Sequence, residues 1–398
     1  MVPDSPSREV LSLEKLLSEG IAQTFTPVLQ SRDVWEVARA LLQALHCQKT
    51  LTLLDPALNP ELMETLEVDS EWVNPRIELP EKPFPQTLED WRQRLESPSG
   101  GSLRLLSSGT TGKPTWWEHS LASLSRGIRR RKDLEDAVWG LCYPPSHMGG
   151  VQVLLQALFT GAGLVDLNEL EGSGLEDLLR RIPVTHLSAT PTFYRRLVQS
   201  GGPFPEVRQV TFGGDRFEED IFQQLPKIFP NARFRNIYAL TETGPLLVST
   251  GEVFEIRPEQ KDWLEIREKT LWVRRPGDIT GTWISTGDQV EVLQKDPLQI
   301  RFTGRSQEVV NVAGLKVFLP EVEAVLQSHP QVREARVFAK PHPVSGKLLW
   351  AEVVAREPAP PESGLREFLR KKLPPAAIPR IIQFVESVTR TPSGKLQR

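Results

Sequence analysis

Two short strings nearly three hundred residues apart carry most of the chemistry legible in this chain: SSGTTGKP at Ser107–Pro114 and TPSGKLQR at Thr391–Arg398. The first sets the hydroxyls of Ser107, Ser108, Thr110 and Thr111 around Gly109 and Gly112, so that backbone N–H and side-chain O–H donors can converge on phosphate oxygens. The second delivers one lysine, Lys395, close to the last residue, Arg398. Together they suggest nucleotide chemistry shared between two domains. A Walker-type ATPase loop is disfavoured, because Gly109 and Gly112 are too close together and Lys113 is followed by Pro114 instead of Ser or Thr. Taken alone, the string also reads as an ordinary polar turn.

Further strings lie between these two. NIYALTETG (Asn236–Gly244) follows a β-like run and sets Thr241 beside Glu242. A carboxylate there can hold Mg²⁺ against phosphates, since this hard cation takes oxygen ligands and keeps several waters; a surface turn is the alternative. ISTGD (Ile284–Asp288) ends in an acid after a glycine turn, where it can accept hydrogen bonds from two ribose hydroxyls. FTGRSQEVVNVAGLKV (Phe302–Val317) places Arg305 at a candidate domain border and Gly314 in a β-like context. His147 sits in PPSHMGG, whereas His119 and His186 stand in no such string and read as structural.

In order and rough spacing, these strings resemble the adenylate-forming superfamily of acyl-CoA synthetases, peptide-synthetase adenylation domains and luciferases, from about Leu103 onward. The resemblance implies an ATP-dependent acid–thiol ligase that makes an acyl-AMP and then a thioester with coenzyme A, with ATP, Mg²⁺ and coenzyme A as cofactors. It implies that Ser107, Ser108, Gly109, Thr110, Thr111, Gly112 and Lys113 cradle the β- and γ-phosphates. His147 lines the route between acyl pocket and α-phosphate, and Gly213, Gly214 and Asp215 of FGGD lie beside the adenine. Tyr238 stacks on the base, Thr241 meets the α-phosphate, Glu242 is the Mg²⁺ ligand, and Asp288 and Arg305 hold the ribose. Gly314 lies near the thiol tunnel and Lys395 is the catalytic lysine. Within the superfamily, VTHLSATPTFYRRL is similar to the o-succinylbenzoate-CoA ligases. The pattern departs at Thr115, where a lysine is usual, at Gln307 in the hinge and at Ala239 in place of glycine. Fewer residues than usual precede the loop. Transfer to a carrier-protein phosphopantetheine or an amine is the alternative second step, with no tethered carrier domain after Arg398 favouring a free thiol. A member that binds without turnover, suggested by Thr115, is a third reading.

The elements that must position these residues alternate between helix and strand patterns. Arg32–Leu45 and a short piece at Leu88–Leu95 have helical spacing, and LTLLDP reads as a strand ending in a turn. Val151–Leu167 reads as a core helix and then a buried strand, with Gly161 and Gly163 at the turn. VTHLSA, VRQVTFGG and FRNIYAL alternate with the helical GLEDLLRRI and EDIFQQLPKIF, which argues for helices layered on an α/β sheet. Short β runs between Glu252 and Ile300 suggest a small β subdomain, and the remainder a compact α+β domain. The expected division is a large core, residues 1–304, and a small C-terminal domain, 305–398, which the resemblance makes mobile.

Composition sets broader limits. A net charge of −3 gives no basic field for nucleic acid, and Arg129–Lys132, followed at once by Asp133, reads as a solvated helix face. Two cysteines in no metal-ligand spacing imply a reducing, cytoplasmic setting. The acidic start lacks a leader pattern, and no apolar run is long enough to span a membrane.

Overall fold

The computed structural model describes residues 10–388 apart from 57, 59–62, 64–65, 67, 69–72, 80–82, 98–99, 108–114, 169, 171, 216, 276–280, 306–308, 313–314 and 343–345. It is an α/β protein of two compact units. The first comprises Met1–Pro258, Arg275–Gly277 and Gln294–Ile300; the second comprises Glu259–Arg274, Asp278–Leu293 and Arg301–Arg398.

The first unit opens with α1 (Leu13–Glu19), β1 (Thr24–Phe25), β2 (Val28–Gln30), α2 (Val34–Cys47) and β3 (Thr50–Leu54). There follow β4 (Ile77–Glu78), α3 (Leu88–Glu96), β5 (Ser102–Ser107), β6 (Thr115–Ser120) and α4 (Leu121–Ser125). Asp33 caps α2 by accepting from the backbone N–H of Trp35 at 2.7 Å. Its Val34, Val37, Leu41 and Leu45 are buried, as the helical spacing requires. Strands β2, β3, β5 and β6 form a sheet in that order, parallel except for the antiparallel β5–β6 pair. Ser107 and Thr115 face each other at the end of that pair, so the phosphate string joins two hydrogen-bonded strands.

A second sheet follows: β7 (Val138–Leu141), β8 (Gly163–Asp166), β9 (His186–Ala189), β10 (Gln209–Gly213), β11 (Arg233–Leu240) and β12 (Gly244–Ser249). Its order is β12-β11-β10-β9-β7-β8, and only the β11–β12 pair is antiparallel. The connecting helices are α5 (Met148–Thr160), α6 (Gly172–Arg181) and α7 (Pro191–Ser200). Helix α5 is buried nearly all round, which accounts for its mostly apolar sequence, and Gly161 ends it at φ +82°. Its polar Gln156 is also buried. The Gln156 amide accepts from the Arg129 N–H and donates to the Arg129 carbonyl, both at 2.9 Å.

That clamp corrects one expectation. Arg129–Lys132 is not a helix face, because the backbone groups Arg129 would give to a helix are held by Gln156; only Lys132–Leu134 makes a single 3₁₀ turn. EDIFQQLPKIF likewise forms two short helical turns, Glu219–Phe222 and Leu225–Ile228. Pro226 has no N–H to donate and would clash with the carbonyl of Phe222 in one continuous helix.

The second unit contains the antiparallel strands β13 (Leu264–Arg267), β14 (Thr270–Val273) and β15 (Ile284–Lys295), the last running on into the first unit at Gln294. Beyond β16 (Leu298–Arg305) come the hairpin β17 (Val309–Val312) and β18 (Leu315–Phe318), then α8 (Leu319–Gln327). A three-stranded sheet of β19 (Val332–His342), β20 (Gly346–Ala355) and β21 (Ile381–Phe384), with α9 (Glu362–Arg370), completes it. Val322 and Leu326 of α8 and Leu365 and Leu369 of α9 share one core with Val337 and Val353 of that sheet. Among the described residues, no helix is long and apolar enough to cross a membrane.

Candidate active site

In the six-stranded sheet, the residues singled out by sequence follow the carboxyl ends of the parallel strands β7, β10 and β11, the end at which ligands bind in open α/β sheets. His147 ends the loop after β7, Gly214 and Asp215 follow β10, and Thr241 and Glu242 follow β11. Gly213 and Ile237 pair directly, which puts the glycine string one strand from Tyr238.

Tyr143 organises this edge. Its hydroxyl donates to the Gly213 carbonyl at 3.2 Å, tying the loop after β7 to the end of β10. Burial pushes this phenol well above its ordinary pKa, so it stays protonated and donates. A Cβ at Gly149 would meet the Tyr143 ring at 3.2 Å, and one at Gly214 would meet it at 3.4 Å. Gly214 also has φ +79°, a conformation open to glycine. Gly150 is tighter than either: a Cβ there would lie 2.1 Å from the Pro144 carbonyl oxygen. PPSHMGG is thus a loop that folds back on the first turn of its own helix.

His147 is the N-terminal cap residue of α5, and its side chain makes no cap hydrogen bond. Its Nε2 lies 2.7 Å from Oδ2 of Asp55, the residue after β3, with side-chain exposures of 22% and 12%. Asp55 therefore belongs to the site although sequence reasoning passed over it; the available signal was an acid at a strand-to-turn boundary in LTLLDP. His119 on β6 places Nε2 2.7 Å from the Thr241 carbonyl oxygen. Two histidines thus join the four-stranded and six-stranded sheets of the first unit.

The register of β11 against β12 shifts between Tyr238 and Ala239, where Leu246 of β12 is the extra residue. The shift lies opposite the start of YALTE, and Gly244 at φ +78° completes the turn that carries Thr241 and Glu242. Among the described residues, no group of three or more His, Cys, Asp or Glu stands together as a metal site. One carboxylate fits Mg²⁺ that arrives with phosphates and keeps its waters, not a cation caged by protein alone.

In the second unit, Asp288 is buried on β15, and its Oδ1 accepts from Nε of Arg305 at 2.8 Å. The Asp288 N–H donates to Thr286 Oγ1 at 3.0 Å, and Gly287 takes φ +71°. The TGD string therefore makes an irregularity within β15, where the register against β14 shifts, and its acid meets the arginine. Ser107 is buried at the end of β5 and Thr115 is exposed at the start of β6. Ser108, Gly109, Thr110, Thr111, Gly112, Lys113, Gln307, Gly314 and Lys395 lie outside the described residues.

Comparison with known proteins gives this arrangement a family. The fatty acid–[acyl-carrier-protein] ligase ScoC of Streptomyces coeruleorubidus is 26% identical over 86% of this chain and 73% of its own length. The acetyl-coenzyme A synthetase of Bacillus subtilis is 25% identical over 75% of this chain and 60% of its own. The chain thus spans about three fifths of the length of that relative and of several human and rat acyl-coenzyme A synthetases. Among solved structures, Bacillus subtilis o-succinylbenzoate CoA synthetase with its OSB-AMP intermediate shares the fold at TM-score 0.70 and 17% identity, covering 96% of this chain and 89% of that one. ATP-bound MatB of Rhodopseudomonas palustris does so at 0.68 and 17%, covering 97% and 89%. The AMP-binding enzyme model matches residues 25–269 and the AMP-binding enzyme C-terminal domain model residues 321–395, and the chain belongs to the AMP-binding enzyme family.

Proposed function

We propose that the protein activates a small carboxylic acid with ATP to an acyl-AMP and then transfers the acyl group to the thiol of coenzyme A. The observation that carries this reading is the arrangement at the carboxyl ends of β7, β10 and β11, which gathers His147, Gly213–Asp215 and Tyr238–Glu242 along one sheet edge. In the first step a carboxylate oxygen attacks the α-phosphorus and pyrophosphate leaves. In the second the thiol sulfur attacks the acyl carbon, its proton goes to solvent, and AMP leaves. Two anions must meet in the first step, so the site has to supply fixed donors and positive charge.

In this reading the Ser107–Lys113 segment donates to the β- and γ-phosphates, Thr241 to the α-phosphate, and Tyr238 stacks on the adenine beside Gly213–Asp215. Glu242 would hold Mg²⁺, which when bound neutralises phosphate charge. Asp288 accepts from the ribose hydroxyls with Arg305 beside it, and His147 guards the passage from acyl pocket to α-phosphate. Lys395, the last residue matched by the C-terminal family model, neutralises the charge that builds as acid meets nucleotide. Rotation of residues 306–398 then withdraws Lys395 and brings Gly314 to the thiol. Similarity to an acyl-carrier-protein ligase over most of the chain supports a carrier-protein phosphopantetheine as the second candidate acceptor.

The test is pyrophosphate release with a panel of carboxylic acids, with intact-mass detection of a retained acyl-adenylate, followed by addition of coenzyme A, holo carrier protein or an amine. Lys395→Ala should abolish adenylation yet spare thioester formation from presupplied acyl-adenylate. Removing such a group typically costs about 2.7–4 kcal/mol, a hundredfold to a thousandfold in rate. Equal loss in both half-reactions would contradict the role of Lys395. Silence of the wild-type protein across a broad panel would favour a binding protein without turnover.

A further inference from the structure

His119 reads from sequence as a structural histidine, and its surroundings give it a more specific task. It lies on β6, the edge strand of the four-stranded sheet, opposite Leu103 on β5. Ser107, at the end of β5, begins the phosphate string, and β6 is the strand that returns from it. Through Nε2, His119 reaches the Thr241 carbonyl oxygen at 2.7 Å, in the turn that follows β11 of the other sheet. A carbonyl oxygen can only accept, so Nε2 carries the proton. Burial lowers the pKa of this histidine, the Thr241 carbonyl works in the opposite direction, and the Arg275 charge lowers it again. The ring therefore donates as a neutral imidazole near pH 7.

The strand that carries the ring is itself held. Arg275 donates through Nη2 to the Glu118 carbonyl at 2.8 Å, and its guanidinium lies 5.9 Å from the Trp117 ring centre. These contacts engage an edge strand whose carbonyls would otherwise face water. Thr241 and Glu242 sit in the turn between β11 and β12, next to the register shift of that pair and followed by Gly244 at positive φ. The imidazole bond supplies a fixed reference from the other sheet.

We propose that His119 is a positioning residue whose ring N–H holds the Thr241 carbonyl and thereby fixes Thr241 and Glu242 relative to the strand pair that bears the phosphate string. This rests on the adenylation reading of Thr241 and Glu242, and it concerns the half-reaction that uses Mg²⁺ and ATP.

The test compares wild type, His119→Ala, His119→Gln and His119→Asn for Mg²⁺-dependent binding of a non-hydrolysable ATP analogue and for pyrophosphate release. Loss of a hydrogen bond to a partly buried carbonyl predicts that His119→Ala needs about tenfold more Mg²⁺ for half-maximal analogue binding and releases pyrophosphate about tenfold more slowly. The KM for the carboxylic acid should move less than about twofold. Gln places an amide N–H near the position of Nε2 and should restore most of the loss, whereas the shorter Asn should behave like Ala. If His119→Ala does not fold, the Gln–Asn contrast carries the same test. The proposal is overturned if Gln and Asn are alike, or if His119→Ala binds the Mg²⁺ analogue within twofold of wild type. Wild-type protein that fails to bind the analogue with Mg²⁺ would remove the adenylation reading and this inference with it. Binding that is normal and indifferent to His119 removes the inference alone.

Discussion

His147 on α5 and Asp55 after β3 meet at 2.7 Å, so the histidine of PPSHMGG is oriented by a carboxylate from the other sheet. Removing the acid should cost orientation more than folding, because both side chains retain partial exposure. A hydrogen bond to a charged group contributes about 1.5–3 kcal/mol, so Asp55→Ala should lower kcat/KM for the carboxylic acid by roughly ten- to a hundredfold. Asp55→Asn keeps an acceptor for the ring N–H and should fall between Ala and wild type. Steady-state kinetics beside thermal melting would check this, and a melting shift without a kinetic change would count against an orienting role.

Gly150 predicts a steric outcome. A methyl at this position would collide with the Pro144 carbonyl at 2.1 Å, and neither the loop nor the buried start of α5 has room to give. Overpacking of this kind typically costs about 1–3 kcal/mol. Gly150→Ala should therefore lower the melting temperature and impair acid activation together. Gly172→Ala, where a Cβ meets nothing within 4 Å, should leave activity unchanged and cost only the strain of φ +55°.

His186 predicts an acid-side loss of stability. Burial lowers its pKa from 6.5 to about 4, and Arg208 pushes in the same direction. The ring packs on Trp139 at 4.5 Å, and its Nδ1 lies 2.8 Å from Thr185 Oγ1. Its folded pKa lies below the unfolded one, so the unfolded chain binds the proton first as pH falls. The stability that the neutral ring contributes is complete above pH 6.5 and declines as pH drops toward 4, by up to about 3 kcal/mol. Denaturant melts of wild type and His186→Gln across this window should converge on acidification, the variant losing less. Parallel curves would exclude His186 as the source.

Much of this was legible in advance because burial and turn chemistry leave marks on a sequence. The mostly apolar stretch read as a core helix and then a strand is the largely buried α5 and β8, and Arg32–Leu45, read as helical from its spacing, coincides with most of α2. What escaped were contacts between residues far apart in the chain. Asp55 and His147 are separated by 92 positions and His119 and Thr241 by 122, and no periodicity encodes such meetings. Arg129–Lys132 reads as helical because its charge pattern is local, whereas the Gln156 side chain that holds the Arg129 backbone comes from another element.

Asp288 and Arg305 provide the most separable prediction, because one member is buried and the other partly exposed, with side-chain exposures of 10% and 35%. Arg305→Ala removes the guanidinium that faces a buried carboxylate, a loss of about 1.5–3 kcal/mol for a hydrogen bond to a charged group. Asp288→Asn in the same background removes the buried charge and should recover part of that stability. Function should not follow stability. If Asp288 accepts from the ribose hydroxyls, the double variant will regain melting temperature but not affinity, and 2′-deoxy-ATP will discriminate less against it than against wild type. A double variant that recovers ATP affinity together with stability would reduce the pair to a structural ion pair within its own unit.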